Sequence, residues 1–171
     1  FYALQPFLLE LYGDPNAYSV AGLTAAVFAG AQILGGLLVP YLRRVFRRRT
    51  DGVLVSVVGT VGIMGAIGVT TNFVVALVLL ATWAMLFAFT SPLRQAFING
   101  IIPSEQRATV LSFDSFMGSI GGAISQPALG RVSDVFGYGP AYVVTAVMQA
   151  CAIPFVLLAR RERAASDPIE A

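Results

Sequence analysis

The sequence contains no lysine and no histidine, and it has a single cysteine, Cys151. Without histidine the chain lacks the commonest metal ligand and the side chain that most readily moves protons near neutral pH. One cysteine excludes an internal disulfide, and its apolar surroundings mark Cys151 as a small packing residue. No metal site and no cofactor is expected. No G-x-x-x-x-G-K-[ST] loop occurs either, so no nucleotide-hydrolysing phosphate cradle is expected. Charge is scarce: 12% of the 171 residues are charged, against roughly 25% in a soluble domain.

Apolar residues, by contrast, make up 57% of the chain, with a mean hydropathy of +0.77. A chain with so few charges cannot coat a soluble globule, and the surplus apolar surface must face lipid. A helix needs roughly 20 mostly apolar residues to cross the hydrocarbon core. Five stretches qualify, at 18–42, 52–70, 73–97, 106–129 and 138–159. Residues 1–12 are too short to span and read as the end of a sixth helix. Because the chain opens at Phe1, inside an apolar run, it reads as a fragment that starts midway through a helix. Membrane β-strands would alternate apolar and polar positions; the continuous run at 74–80 does not. The expected fold is an all-α polytopic transmembrane bundle over residues 1–163. A polar tail, 164–171, is expected to be unstructured.

Turn signals separate the runs. Gly13-Asp14-Pro15-Asn16 ends the first piece, and Thr70-Thr71-Asn72 makes a tight turn. Pro103-Ser104-Glu105 opens the 106–129 helix, with Ser104 as its expected N-cap and Glu105 favourable beside the helix N-terminus. Gly137, Gly139 and Pro140 precede the last run.

The loops between these helices alternate sides of the membrane. One side receives Arg43, Arg44, Arg47, Arg48, Arg49, Arg94, Arg107, Arg160, Arg161 and Arg163; the other receives only Arg131. The positive-inside rule then places the first group, and the C-terminus, in the cytoplasm. Basic runs also bind nucleic acid or anionic lipid. Arg43–Arg49 follows a spanning helix directly and has no aromatic platform beside it, which favours topology and lipid headgroups over nucleic acid. The arginine-only, Ala/Gly/Val-rich usage suggests a GC-rich bacterial genome and hence an inner, plasma membrane.

Small residues recur at helix-packing spacing. Gly118 and Gly122, Ala26 and Gly30, and the series Gly59, Gly62, Gly65, Gly68 are expected to let backbones approach, the main source of helix association in lipid.

Three features together resemble the C-terminal half of a major facilitator superfamily transporter. Pro103-Ser104-Glu105-Gln106-Arg107-Ala108-Thr109-Val110-Leu111-Ser112 is similar to the family's loop before its eleventh helix. Gly130-Arg131-Val132-Ser133-Asp134-Val135-Phe136-Gly137 is similar to the G-x-x-x-D-x-x-G pattern that follows that helix. Gly36-Leu37-Leu38 and the arginines at 43–49 sit where the family carries its basic loop between helices eight and nine, although Pro40 stands where an acidic residue is expected. The resemblance covers essentially the whole chain, as the tail of helix seven through helix twelve. It implies an N-terminal six-helix half in the same polypeptide and a small-molecule substrate at the interface of the halves. It further implies secondary active transport by alternating access, with proton-coupled export among the modes. Helices seven and ten would line the cavity, eight and eleven flank it, and nine and twelve face outward. Gating roles for Arg43, Arg44, Arg47, Arg48, Arg49, Arg107 and Asp134 are implied in the same way.

Among the residues themselves Asp114 is the most informative. It lies roughly 10 Å into its helix at 1.5 Å per residue. A charge at a helix centre costs about 2.5–3.5 kcal/mol or more on insertion scales. Asp114 is therefore either a protonatable or cation-binding carboxylate that couples transport, or half of a fixed ion pair with Arg94 or Arg107. Gln5, beside the helix-interrupting Pro6, Gln32 and the mid-helix Trp83 are candidates for substrate contact; ordinary interhelical contacts are the alternative for each. Glu10 lies near the outer end. Arg131 and Asp134 are expected to form a loop clasp. With no histidine and no second buried acid, a membrane-embedded enzyme is not expected. A noncatalytic scaffold, or a half-size protein that dimerises, is the alternative to transport.

Overall fold

The computed structural model describes residues 4–162, 164 and 167–169, with the side chains of 42–44 left aside. The described residues form seven α-helices and one short 3-10 turn, with no strand among them. The order is α1 (Leu4–Tyr12), α2 (Tyr18–Val45), α3 (Arg49–Val69), α4 (Phe73–Ile101), the 3-10 turn (Ser104–Gln106), α5 (Arg107–Phe136), α6 (Tyr138–Ala150) and α7 (Ile153–Arg161). In lipid a backbone has no water to bond, so long apolar runs settle as helices whose bonds are internal.

Four segments are long and apolar enough to cross a membrane: Tyr18–Tyr41, Arg49–Val69, Phe73–Ile101 and Tyr138–Arg161. α5 has 30 residues, but its serines, Gln126 and Asp114 leave it outside that set. The fifth span expected at 106–129 is thus met by length and not by composition.

Helix ends follow local chemistry. Asn72 caps α4, its side-chain oxygen accepting from the Val75 N–H at 3.1 Å. α5 lacks the expected Ser104 cap: Ser104 lies in the 3-10 turn and donates to Glu105 Oε1 at 2.9 Å. α5 runs on to Phe136 and stops at Gly137, whose φ of 89° suits glycine alone. The 130–136 stretch, read as loop, is therefore helical. Arg131 and Asp134 are both exposed on it, and no ion pair joins them among the described residues, so the expected clasp is not formed. The described part of α1, Leu4–Tyr12, is helical through Pro6, so the proline does not interrupt it there. The last span, expected as one helix, breaks at Cys151–Ala152. There Cys151 N–H bonds Met148 O and Ala152 N–H bonds Gln149 O in tight turns, and Pro154 has no N–H to continue the ladder.

The core gathers Leu8, Phe28, Met64, Ile67, Leu80 and Ala84 from α1 to α4. α2 packs on α4 and α3 on both α4 and α6. At two crossings the approach is close enough to exclude any side chain. A Cβ on Gly35 would lie 2.6 Å from Met85 O. A Cβ on Gly68 would lie 2.8 Å from Gly139 O, and one on Gly139 would lie 2.7 Å from Gly68 O. Of the expected packing glycines, Gly59 and Gly68 face neighbours, whereas Gly30, Gly62, Gly65 and Gly118 meet open space. α5 packs chiefly on α6 and buries none of its residues.

The C-terminal tail differs from the unstructured segment expected at 164–171. Its described residues are tied to the α2–α3 corner. Arg49 N–H donates to Asp167 O at 2.8 Å, and Ile169 N–H donates to Arg47 O at 3.1 Å. The Asp167 side chain is buried and takes two bonds from Thr50. Ile169 packs against a small cluster of Val39, Phe89 and Leu93. A polar sequence thus holds its place by satisfying the orphan N–H groups that begin α3.

Candidate functional site

Two places bring together side chains that the sequence singles out. The first is an ion pair between α4 and α5. Arg94 lies seven residues before the end of α4 at Ile101, and Asp114 is the eighth residue of α5. The Arg94 guanidinium donates to Asp114 Oδ1. The Arg94 side chain is about half exposed and that of Asp114 about a third, so water or another polar group reaches the pair. Of the two arginines considered for Asp114, Arg94 is the one that engages it. Arg107 turns away and donates to Asn99 O at 3.4 Å.

The second is a cavity of about 250 Å³ walled by α1, α3, α4, α5 and α6, with Trp83 in its wall. Trp83 is set by aromatic neighbours: Phe28 at 5.8 Å between ring centroids and Phe87 at 6.2 Å, both tilted. Tyr138 and Tyr142 of α6 also line the cavity. Phe7 of α1 packs on both rings, at 6.2 and 5.0 Å. The remaining wall includes Leu4, Met64, Leu80 and Gln126.

The other candidates lie elsewhere. Gln5 is exposed on α1, and Gln32 is half-buried on α2; neither lines the cavity. Glu10 is exposed. Arg43 and Arg44 fall on the last turn of α2, with side chains outside the described set. Arg47 is exposed, and Arg48 and Arg49 are half-buried at the start of α3. Arg160 Nε lies 2.7 Å from Asp51 Oδ1. That contact rests on charge proximity rather than an aligned hydrogen bond, since Asp51 Oδ1 accepts none. Among the described residues no cluster of acids and cysteine is arranged to hold a metal.

Sequence reasoning missed Gln126, Tyr138 and Tyr142 as companions of Trp83. Their signals were modest: a lone amide among small and apolar residues, and two tyrosines four apart, hence on one helix face. It also missed Asp167, for which the only cue was an acidic residue in a polar tail.

The model of the Major Facilitator Superfamily matches residues 1–171, the whole chain. The chain belongs to that superfamily. Its members move small solutes across membranes and are transporters rather than enzymes. No curated protein and no solved structure matches the chain. Superfamily membership accords with the all-helical architecture and the apolar spans.

Proposed function

We propose that this superfamily chain is one half of a secondary active transporter working by alternating access, with Asp114 as its coupling carboxylate. The observation that carries the reading is the Arg94–Asp114 ion pair, which links α5 to α4 at a depth where an unpartnered charge is costly. A proton arriving on the Asp114 carboxylate forms a neutral acid, and the pair loses its attraction. Arg94 is then free for an anionic or polar solute group, and α5, which buries nothing of its own, is free to shift. Deprotonation toward the other side restores the pair. This cycle couples one proton to one rearrangement.

Several finer readings go with it. A second six-helix half, in the same polypeptide, completes the solute path at the exposed face of α5. The membrane is a bacterial plasma membrane, and the ten-to-one arginine distribution puts the C-terminus and the Arg43–Arg49 corner in the cytoplasm. Gln5 and Gln32, which have no role in the described cavity, supply polar contacts along the path.

The test uses the full-length protein reconstituted into liposomes with a pH-reporting dye inside. An imposed pH gradient should drive accumulation of a substrate found by screening labelled small organic solutes. In inverted membrane vesicles the same gradient tests for export. Asp114→Asn should abolish gradient-driven accumulation and leave solute exchange intact. Unaltered coupling in that variant would sink the assignment of Asp114. A native dimer of this half alone would replace the two-half arrangement.

A further inference from the structure

The cavity around Trp83 has a character distinct from the Arg94–Asp114 pair, and neither residue of that pair lines it. Its volume is about 250 Å³. An aliphatic cavity of about 150 Å³ in a protein core stays dry and takes up benzene, so this one accommodates a larger, substituted ring. Among the described residues, no charged side chain stands in its wall. A charged guest would lose its hydration and find no counter-charge, which in an apolar site is prohibitive. The lining carries three aromatic rings, Trp83 of α4 and Tyr138 and Tyr142 of α6, and flat rings favour flat guests.

The polar groups narrow the guest further. The hydroxyls of Ser133 and Thr145 already donate to Gly130 O and Ala141 O, each at 2.8 Å. Among the described residues, no hydrogen bond occupies the Trp83 indole N–H, the Tyr138 and Tyr142 hydroxyls or the Gln126 amide. The indole N–H only donates, whereas the hydroxyls and the amide both donate and accept, so each of the four can donate. A hydrogen-bond acceptor carried on an apolar frame is the guest group that all four can serve.

We propose that the cavity lined by Trp83, Tyr138, Tyr142 and Gln126 is a binding site for a neutral, single-ring aromatic molecule bearing a hydrogen-bond acceptor. The site lies within this half of the bundle. Occupancy bridges α5 and α6 to α3 and α4, so a guest stiffens α5, which otherwise buries nothing. Binding at equilibrium needs neither a gradient nor Asp114, and it stands or falls separately from the coupling mechanism.

Gly130 provides the control. A Cβ there meets nothing within 4 Å, and the residue borders the cavity. Gly130→Leu therefore fills the space without a backbone clash and replaces a poor helix former by a good one. The experiment uses the full chain in lipid nanodiscs and nitrobenzene as the probe, a neutral ring with acceptor oxygens that quenches indole emission. The Trp83 signal is the difference between the unmodified protein and Trp83→Phe. Saturable quenching is expected, with affinity at least tenfold weaker in Gly130→Leu, and the variant's Tm should rise. The anion nitrobenzoate should give no saturable quenching. Linear quenching equal in both proteins would mean partition into lipid and would overturn the site. Saturable binding of nitrobenzoate would overturn the neutral class. Failure of Gly130→Leu to fold would show that the volume is not available, and would equally overturn the proposal.

Discussion

Asp167 caps α3 through Thr50, 117 positions earlier: its Oδ1 accepts the Thr50 N–H and its Oδ2 the Thr50 hydroxyl, both at 2.9 Å. Arg48, at the N-cap position of α3, offers no side-chain bond of its own. The cap that most helices obtain from the preceding residue comes here from the far end of the chain, and it places a carboxylate at the positive end of the helix dipole.

Asp167→Ala should therefore cost about 1–2 kcal/mol, the upper part of the range for loss of an N-cap. Thermal unfolding in detergent reads the loss directly. An arginine-specific protease should also cut at Arg47, Arg48 and Arg49 faster, because the backbone bonds from Arg49 to Asp167 and from Ile169 to Arg47 depend on the same docking. Asp167→Asn keeps an acceptor for the Thr50 N–H and should fall between. Identical melting and cleavage in all three proteins would mean that the docked tail contributes nothing.

Gly68 and Gly62 make a matched pair on α3. Gly68→Ala would press a methyl to 2.5 Å from Val143 Cγ2 and 2.8 Å from Gly139 O, whereas Gly62 faces open space. Overpacking of this kind costs about 1–3 kcal/mol. Gly62→Ala should instead be neutral, or stabilising by up to about 1 kcal/mol through helix propensity. A lower melting temperature for the first and not the second is expected; equal shifts would show that the α3–α6 crossing is looser than described.

Glu105, in the 3-10 turn, titrates below the ordinary glutamate value, first through its own backbone N–H and then through the Ser104 hydroxyl. A lowered folded-state value favours the charged form in the fold. The stabilisation is therefore present above the unfolded pKa and is lost as pH falls through the folded one. Ser104→Ala removes the second cause, so the value should rise part of the way back. Carboxyl-carbon NMR across an acid titration measures it, and an unchanged midpoint would remove the hydroxyl from the account.

Cys151 is exposed at the break between α6 and α7, within the Tyr138–Arg161 span. In an apolar span an exposed thiol is expected to face lipid. An apolar maleimide should label it in intact membranes, while a sulfonated maleimide should do so only after detergent is added; Cys151→Ser gives the background. Labelling by the sulfonated reagent in intact membranes would place this break in water.

Much of the fold was legible because long apolar runs in a charge-poor chain leave the backbone little choice but helix. The turns at 13–16 and 70–72 were equally plain, being written in Gly, Pro, Asp and Asn. What failed was the reading of helix ends by polarity. Arg131 and Asp134 look like loop residues, yet α5 continues through them until Gly137, where the backbone geometry stops it. Pro154 was the overlooked cue for the break in the last span. At the candidate sites the Asp114 partner came down to a choice between two arginines, since position along a helix fixes depth but not which neighbour turns inward. The cavity companions of Trp83 come from α5 and α6, and only the tertiary arrangement brings them to α4. Asp167 was hidden for a similar reason: a cap drawn from a distant segment leaves no local pattern.

α3 is held at both ends to the same stretch of chain. At its start, Thr50 and Asp51 are gripped by Asp167 and Arg160; at its finish, Gly68 lies backbone to backbone against Gly139, beside the start of α6. These fastenings are about 27 Å apart at 1.5 Å per residue. A single attachment would act as a swivel, but two so widely spaced resist both sliding and pivoting. α3 and the α6–α7 span thus form a braced plank. Rearrangement in this half falls instead to α5, whose side-chain ties to α4 are the Arg94–Asp114 pair and the long Arg107–Asn99 bond.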